Sequence, residues 1–193
     1  MTEPQTPTSE PFLVVARRPR PILPITLLLL VAIATTAIVV LVARGGPTDT
    51  SGIGKGKAVP NVAGTTLTGK TFDLASLRGK PVLINFWGPG CVPCREEFPL
   101  LAAKAVEHQA SGLVIVGVLT DDPVEPARAF AAQYGGTWET VIDPGAAIKA
   151  AYHVIARPQT YFVDRNGVLQ SIQPGQLTDA DFERQFAQIA GGG

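Results

Sequence analysis

Sulfur and imidazole are scarce in this chain: 193 residues hold two cysteines, two histidines and one methionine. His108 and His153 do not form the close pair that finger-type zinc sites use, so the two cysteines do not complete a four-ligand set. Met1 is the only thioether, and neither histidine is near the cysteines in sequence, which weakens a copper(I) site. Charge of one sign is also missing, with 16 Lys and Arg against 16 Asp and Glu. Composition therefore offers no basic patch for nucleic acid, and no stretch interleaves aromatic with basic residues.

Long apolar runs are confined to one place. Ile25 to Ala43 (ITLLLLVAIATTAIVVLVA) carries no charge for about 19 residues, enough at helical rise to span the hydrocarbon core of a bilayer. Residues 22–43 are read as a transmembrane anchor, with Pro24 near its start, where a missing amide hydrogen costs little. Its length favours an uncleaved anchor over a signal peptide, whose apolar region is about 7 to 15 residues. Counting basic residues on the two flanks gives a tie. The tight group Arg17, Arg18 and Arg20 breaks it toward a cytoplasmic amino terminus, which puts the rest of the chain outside. Residues 1–21, rich in Pro, Thr, Glu and Gln, read as a disordered tail. Residues 44–57 read as a flexible linker whose span is only about 20 Å, which holds the following domain near the membrane.

Residues 58–191 read as one α/β domain. Asn61 to Asp73 suits a short strand pair around Gly64 and Gly69, and Leu74 to Leu77 a helical turn. Pro81 to Trp87 (PVLINFW) and Leu113 to Leu119 (LVIVGVL) are continuous apolar runs of the kind that form buried central strands. Val92 to Gln109 has helical periodicity, with Phe98, Leu101, Ala105 and Val106 on one side and Gly112 as its end. Further helices are expected over Pro126–Tyr134, Ala146–Tyr152 and Asp179–Ala190, and a short strand over Thr137–Ile142. Gln159 to Asp164, Asn166-Gly167 and Val168 to Ile172 read as strand, turn and strand. Alternating β and α units imply parallel pairing, and the closing hairpin adds antiparallel strands, so the sheet is mixed.

The two cysteines follow the first apolar strand directly and open the helix, in Asn85-Phe-Trp-Gly-Pro-Gly-Cys91-Val-Pro-Cys94-Arg-Glu-Glu-Phe-Pro99. At the first turn of a helix, unpaired amide hydrogens and the positive dipole end favour a thiolate, so Cys91 is the expected nucleophile and Cys94, one turn inside, the resolving thiol. A purely structural disulfide closing so small a loop removes only about 2 kcal/mol of unfolded-state entropy. Pro93 stiffens the intervening loop, whether as a redox-tuning residue or as a helix-start proline. Glu97, three residues past Cys94, shares its helix face, whereas Glu96 points elsewhere.

This cysteine motif, the later run Arg157-Pro-Gln-Thr-Tyr-Phe-Val-Asp-Arg-Asn-Gly167 and a single amino-terminal anchor together resemble the TlpA/ResA/CcmG-like thioredoxin family. The resemblance covers roughly Ala58 to Ala190 and rests on CxPC after a strand ending in Phe-Trp, with a Pro-x-Thr strand start about 65 residues later. It implies a thioredoxin-like fold with an amino-terminal hairpin and a helix-containing insertion at about Asp121–Tyr152. It also implies disulfide reduction outside the cytoplasmic membrane, often in cytochrome c maturation. Apocytochrome c or other exported thiol proteins would be partners and a membrane thiol carrier the electron donor, with no organic cofactor or metal. Glu97 matches a glutamate that tunes the thiols and helps deprotonate the resolving one. Pro158 matches the cis-proline that faces the cysteines. Trp87, Gly90, Pro93 and Arg157 complete the expected substrate-binding or tuning set.

Three positions depart from the family pattern. Gly90 stands where an aromatic residue is common, which removes apolar surface from the rim. Arg157 replaces a smaller or apolar residue, and its charge either stabilises the Cys91 thiolate, recruits an acidic partner, or extends into water. Asn85 occupies the place of thioredoxin's buried acid. Alternative readings are a disulfide-forming oxidase, a peroxiredoxin-like thiol peroxidase and a non-enzymatic copper-delivery protein.

Overall fold

The computed structural model describes Thr35 and residues 53–191. The chain divides into units of residues 1–49 and 50–193, and in the first only Thr35, which is helical, is described. The rest of the expected anchor, the tail before it and residues 44–52 lie outside the described residues. Among the described residues no helix is long and apolar enough to cross a membrane.

The second unit opens with a small hairpin, β1 (Ala63–Thr65) antiparallel to β2 (Thr71–Asp73). The Asp73 carboxylate accepts the Ala75 amide hydrogen at 2.9 Å and so starts the 3₁₀ turn Leu74–Leu77. A five-stranded sheet follows, built from β3 (Val82–Trp87), β4 (Val114–Leu119), β5 (Thr140–Ile142), β6 (Gln159–Val163) and β7 (Leu169–Pro174). Its order is β5-β4-β3-β6-β7. The β3/β4 and β4/β5 pairs are parallel and the β3/β6 and β6/β7 pairs antiparallel, which makes the expected mixed sheet. Four helices connect or flank the strands: α1 (Val92–Glu107), α2 (Val124–Gln133), α3 (Ala147–Ala151) and α4 (Asp179–Ala190).

Strand β3 is buried along its whole length because both faces of the sheet are covered. Its alternate residues Val82, Ile84 and Phe86 join a cluster with Val116, Val118, Tyr152 and Tyr161. Leu83 on the opposite face packs with Leu101, Phe162, Phe182 and Ile189, and Trp87 with Cys94, Phe98, Leu119 and Phe130. Asn85 shares the face of Leu83 and Trp87, so a polar side chain is carried beneath helix α1. Gly117 in β4 makes room for this layer: a Cβ there would lie 2.8 Å from Trp87 Nε1 and overlap Thr140 Oγ1.

Two expectations are corrected. Residues 53–57 belong to the folded unit rather than the linker, because Gly56 N donates to Leu169 O and Leu169 N to Lys57 O, at 2.8 and 2.9 Å. Their glycine-rich composition hid an edge pairing made by the backbone alone. The insertion after Asp121 supplies the short strand expected at Thr137–Ile142 as β5, a sheet edge whose Thr140 carbonyl accepts from Leu67 N at 2.8 Å. In α1 the buried stripe runs through Cys94, Glu97, Phe98, Leu101 and Lys104, while Val106 is 75% exposed. The i, i+3, i+4 progression leaves Val106 off the stripe and brings Lys104 onto it.

Candidate active site

Cys91 is the N-cap of α1, and its sulfur accepts the Cys94 amide hydrogen at 3.2 Å. Cys91 and Cys94 are joined in a disulfide with a Cα–Cα distance of 5.2 Å. Cys91 is partly exposed and Cys94 fully buried. An approaching partner therefore meets the first sulfur and not the second. Pro93 lies between them in the first helical turn, where its missing N–H costs no helical hydrogen bond.

One turn further, Glu97 is 1% exposed. Its Oε1 accepts from Asn85 Nδ2 at 2.8 Å and its Oε2 from the Leu177 amide at 2.8 Å. Both donors are neutral. Burial consequently dominates and raises the carboxyl to about 7, against the smaller lowering by the Leu177 and Asn85 hydrogen bonds. Asn85 also donates to Thr160 Oγ1 at 2.9 Å, which ties α1 to β6 through β3. Its Oδ1 has no partner among the described residues. Glu96 is exposed, as the helical geometry requires.

The Arg157–Pro158 peptide bond is cis, the conformation the resemblance implies. Arg157 does not extend into water: its side chain is 19% exposed, and Nη1 donates to Asp122 Oδ2 at 2.5 Å and to the Thr120 carbonyl. Trp87 is fully buried, with its ring centroid 4.8 Å from that of Phe98, so its side chain presents no surface beside the disulfide. Gly90 is exposed on the loop before Cys91, and a Cβ added there would lie 2.7 Å from Asp122 Oδ1. The rim space that lacks an aromatic ring is thus bordered by a carboxylate.

Asp122, Thr120 and the Leu177 amide were not singled out in the sequence. Asp122 had a readable signal. It follows an apolar parallel strand, on the same rim as the Cys91 loop, and two glycines in that loop mark a close approach. The Leu177 amide had none, since a backbone donor brought in from 80 residues away is a product of tertiary structure.

Glu107, His108 and Glu183 form a cluster of ligating atoms within 4.8 Å of one another. Lys104 Nζ reaches two of its members, donating to Glu107 Oε2 at 2.8 Å and to Glu183 Oε1, and also pairs with Asp179 Oδ1 at 2.8 Å. An ammonium therefore already pairs with these carboxylates, and the cluster sits at the opposite end of α1 from the disulfide.

Residues 55–172 match the AhpC/TSA family. The chain is 32% identical over 142 residues to the thiol-disulfide oxidoreductase ResA of Geobacillus kaustophilus, covering 74% of this chain and 82% of ResA. It is 36% identical over 138 residues to the thioredoxin-like protein YneN of Bacillus subtilis, covering 70% and 80%. Among solved structures it resembles a secreted Mycobacterium tuberculosis disulfide oxidoreductase homologous to E. coli DsbE. That similarity has a TM-score of 0.60 and 29% identity over 65% of this chain and 94% of the other.

Proposed function

Because the chain belongs to the AhpC/TSA family of thioredoxin-like proteins, and resembles thiol-disulfide oxidoreductases over most of its length, we propose that it reduces disulfides in proteins outside the cytoplasmic membrane. The observation that carries this reading is the partly exposed Cys91 at a helix N-terminus, bonded to a fully buried Cys94.

In the reduced chain the Cys91 thiolate attacks one sulfur of a substrate disulfide. A Cys91–substrate bond forms, and the other substrate sulfur leaves as a thiolate and takes up a proton. Cys94 then loses its proton and attacks the Cys91 sulfur. The substrate departs with both thiols reduced, and the Cys91–Cys94 disulfide closes. Two electrons pass to the substrate, and a thiol donor must return them. Glu97 lies on the helix face of Cys94 and titrates at about 7, so in this reading its ionised form takes the resolving proton near and above neutral pH. Pro158, in the cis bond that leads into β6, is the residue this reading sets against the cysteines.

Apocytochrome c or another exported thiol protein is the proposed substrate class, and a membrane thiol carrier the proposed donor. Anchoring through residues 22–43 would keep the domain at the membrane face. The reading predicts that the reduced full-length chain converts a disulfide-bonded peptide to two free thiols, and that Cys94→Ser stops at a mixed disulfide on Cys91. A chain that leaves the peptide oxidised and consumes hydrogen peroxide instead overturns it.

A further inference from the structure

Three loops meet beside Cys91, and one ion pair joins them. Gly88 and Gly90 lie in the loop after β3, Thr120 and Asp122 in the loop after β4, and Arg157 before the cis-proline. Arg157 Nη1 donates to Asp122 Oδ2 at 2.5 Å and to Thr120 O. A Cβ at Gly88 would overlap both Asp122 Oδ2 and Arg157 Nη1, and one at Gly90 would lie 2.7 Å from Asp122 Oδ1. The two glycines are therefore the space the pair occupies. With consecutive Cα atoms 3.8 Å apart, the Asp122 carboxylate is no more than about 8 Å from the Cys91 Cα.

The pair is also held from outside. Asp121, at a φ of 59°, precedes Asp122, and its carboxylate meets Lys149 Nζ at 2.5 Å. The remaining charged groups near Cys91 are Arg95 and Glu96, both exposed on α1, and Glu97, buried beneath it. The Asp122 and Arg157 side chains are 13% and 19% exposed, so bulk water and salt screen this pair less than the surface charges.

We propose that Asp122 and Arg157 are positioning residues that clamp the Cys91 loop and keep the charge beside the attacking sulfur near zero. This rests on the thiol-exchange reading for its use, though not for its measurement. A lone arginine would favour the Cys91 thiolate and stabilise the reduced form, whereas a lone carboxylate would do the opposite.

The test compares Asp122→Asn, Arg157→Gln, the double variant and Arg157→Lys in the full-length chain, each checked for folding by thermal unfolding. Two readouts are used: the alkylation rate of Cys91 in the reduced chain at pH 7, and the equilibrium of the dithiol with glutathione. Asp122→Asn should speed alkylation about three- to tenfold and make the pair more oxidising, and Arg157→Gln should slow alkylation by a similar factor and make the pair more reducing. The double variant and Arg157→Lys should return to within about twofold of the parent. Single variants that shift in the same direction, or a double variant that departs from the parent by as much as either single variant, overturn the proposal in favour of a merely structural clamp. Neither readout needs a protein substrate. If the parent chain fails to reduce any peptide disulfide while the opposed shifts persist, the proposed function fails and the electrostatic role stands.

Discussion

Helix α1 carries buried ionisable side chains at both ends, and the two ends treat them in opposite ways. Near the disulfide, Glu97 receives hydrogen bonds only from the neutral Asn85 amide and the Leu177 backbone, and burial lifts its titration to about 7. At the far end, the Lys104 side chain is covered by packing but its ammonium faces the solvated carboxylates of Asp179, Glu107 and Glu183, and its hydrogen bonds to them, led by Asp179, hold it charged. Glu183 is lowered in turn, chiefly by Lys104. Opposite charges fix the ionisation of a group, whereas neutral donors leave it free to change. The same helix thus has one end able to exchange protons near neutral pH and one end that serves as a fastener to α4.

The largest effect that separates the ends is on thiol exchange. Cys91→Ser should reduce the rate of disulfide exchange by about a thousandfold or more, since no other thiol reaches an incoming substrate. Lys104→Met should leave that rate within about twofold. A comparable loss in Lys104→Met would break the contrast.

Stability against pH gives the next largest difference. Below about pH 4.5 Glu97 is protonated in both folded and unfolded chains and contributes no pH dependence. As pH rises from there to about 7, the unfolded chain releases the proton and the folded chain keeps it, so stability falls by about 3 kcal/mol and is then level. Denaturant unfolding of the oxidised chain across pH 4 to 8 should show this decline, and Glu97→Gln should remove it. A slope that survives in Glu97→Gln assigns the titration to another group.

A smaller loss is expected at the other end. Lys104→Met should cost about 1–2 kcal/mol, because the three carboxylates it leaves behind are solvated and exposed ion pairs are individually weak. Its unfolding curve should keep the same decline between pH 4.5 and 7. Smallest of all, Glu96→Gln should change stability by less than about 0.5 kcal/mol and leave the pH dependence of exchange untouched, since this side chain is exposed one residue from Glu97.

Much of this contrast was legible in sequence at the cysteine end and little at the lysine end. A CxPC after an apolar strand fixes a helix start, and i, i+3 spacing separates Glu97 from Glu96, so local rules sufficed. The strand pattern likewise placed β3 and β4, and the Asn-Gly turn the closing hairpin. Lys104 was invisible because a lysine on an apolar stripe reads as a break in periodicity until α4 brings Asp179 and Glu183 across to it. Asp122 was missed although Gly88 and Gly90 mark a close approach, because its partner Arg157 is far along the chain and only the closed sheet brings the two together. Residues 53–57 looked like linker because their attachment to β7 uses backbone atoms, on which composition is silent.

The most direct test of the exchange site at the cysteine end is the reduction potential of the Cys91–Cys94 pair in the full-length chain, measured by equilibration with glutathione or dithiothreitol. A reductase requires a value more negative than about −200 mV, toward the thioredoxin range; a value near −120 mV, where strong oxidants lie, would contradict the account.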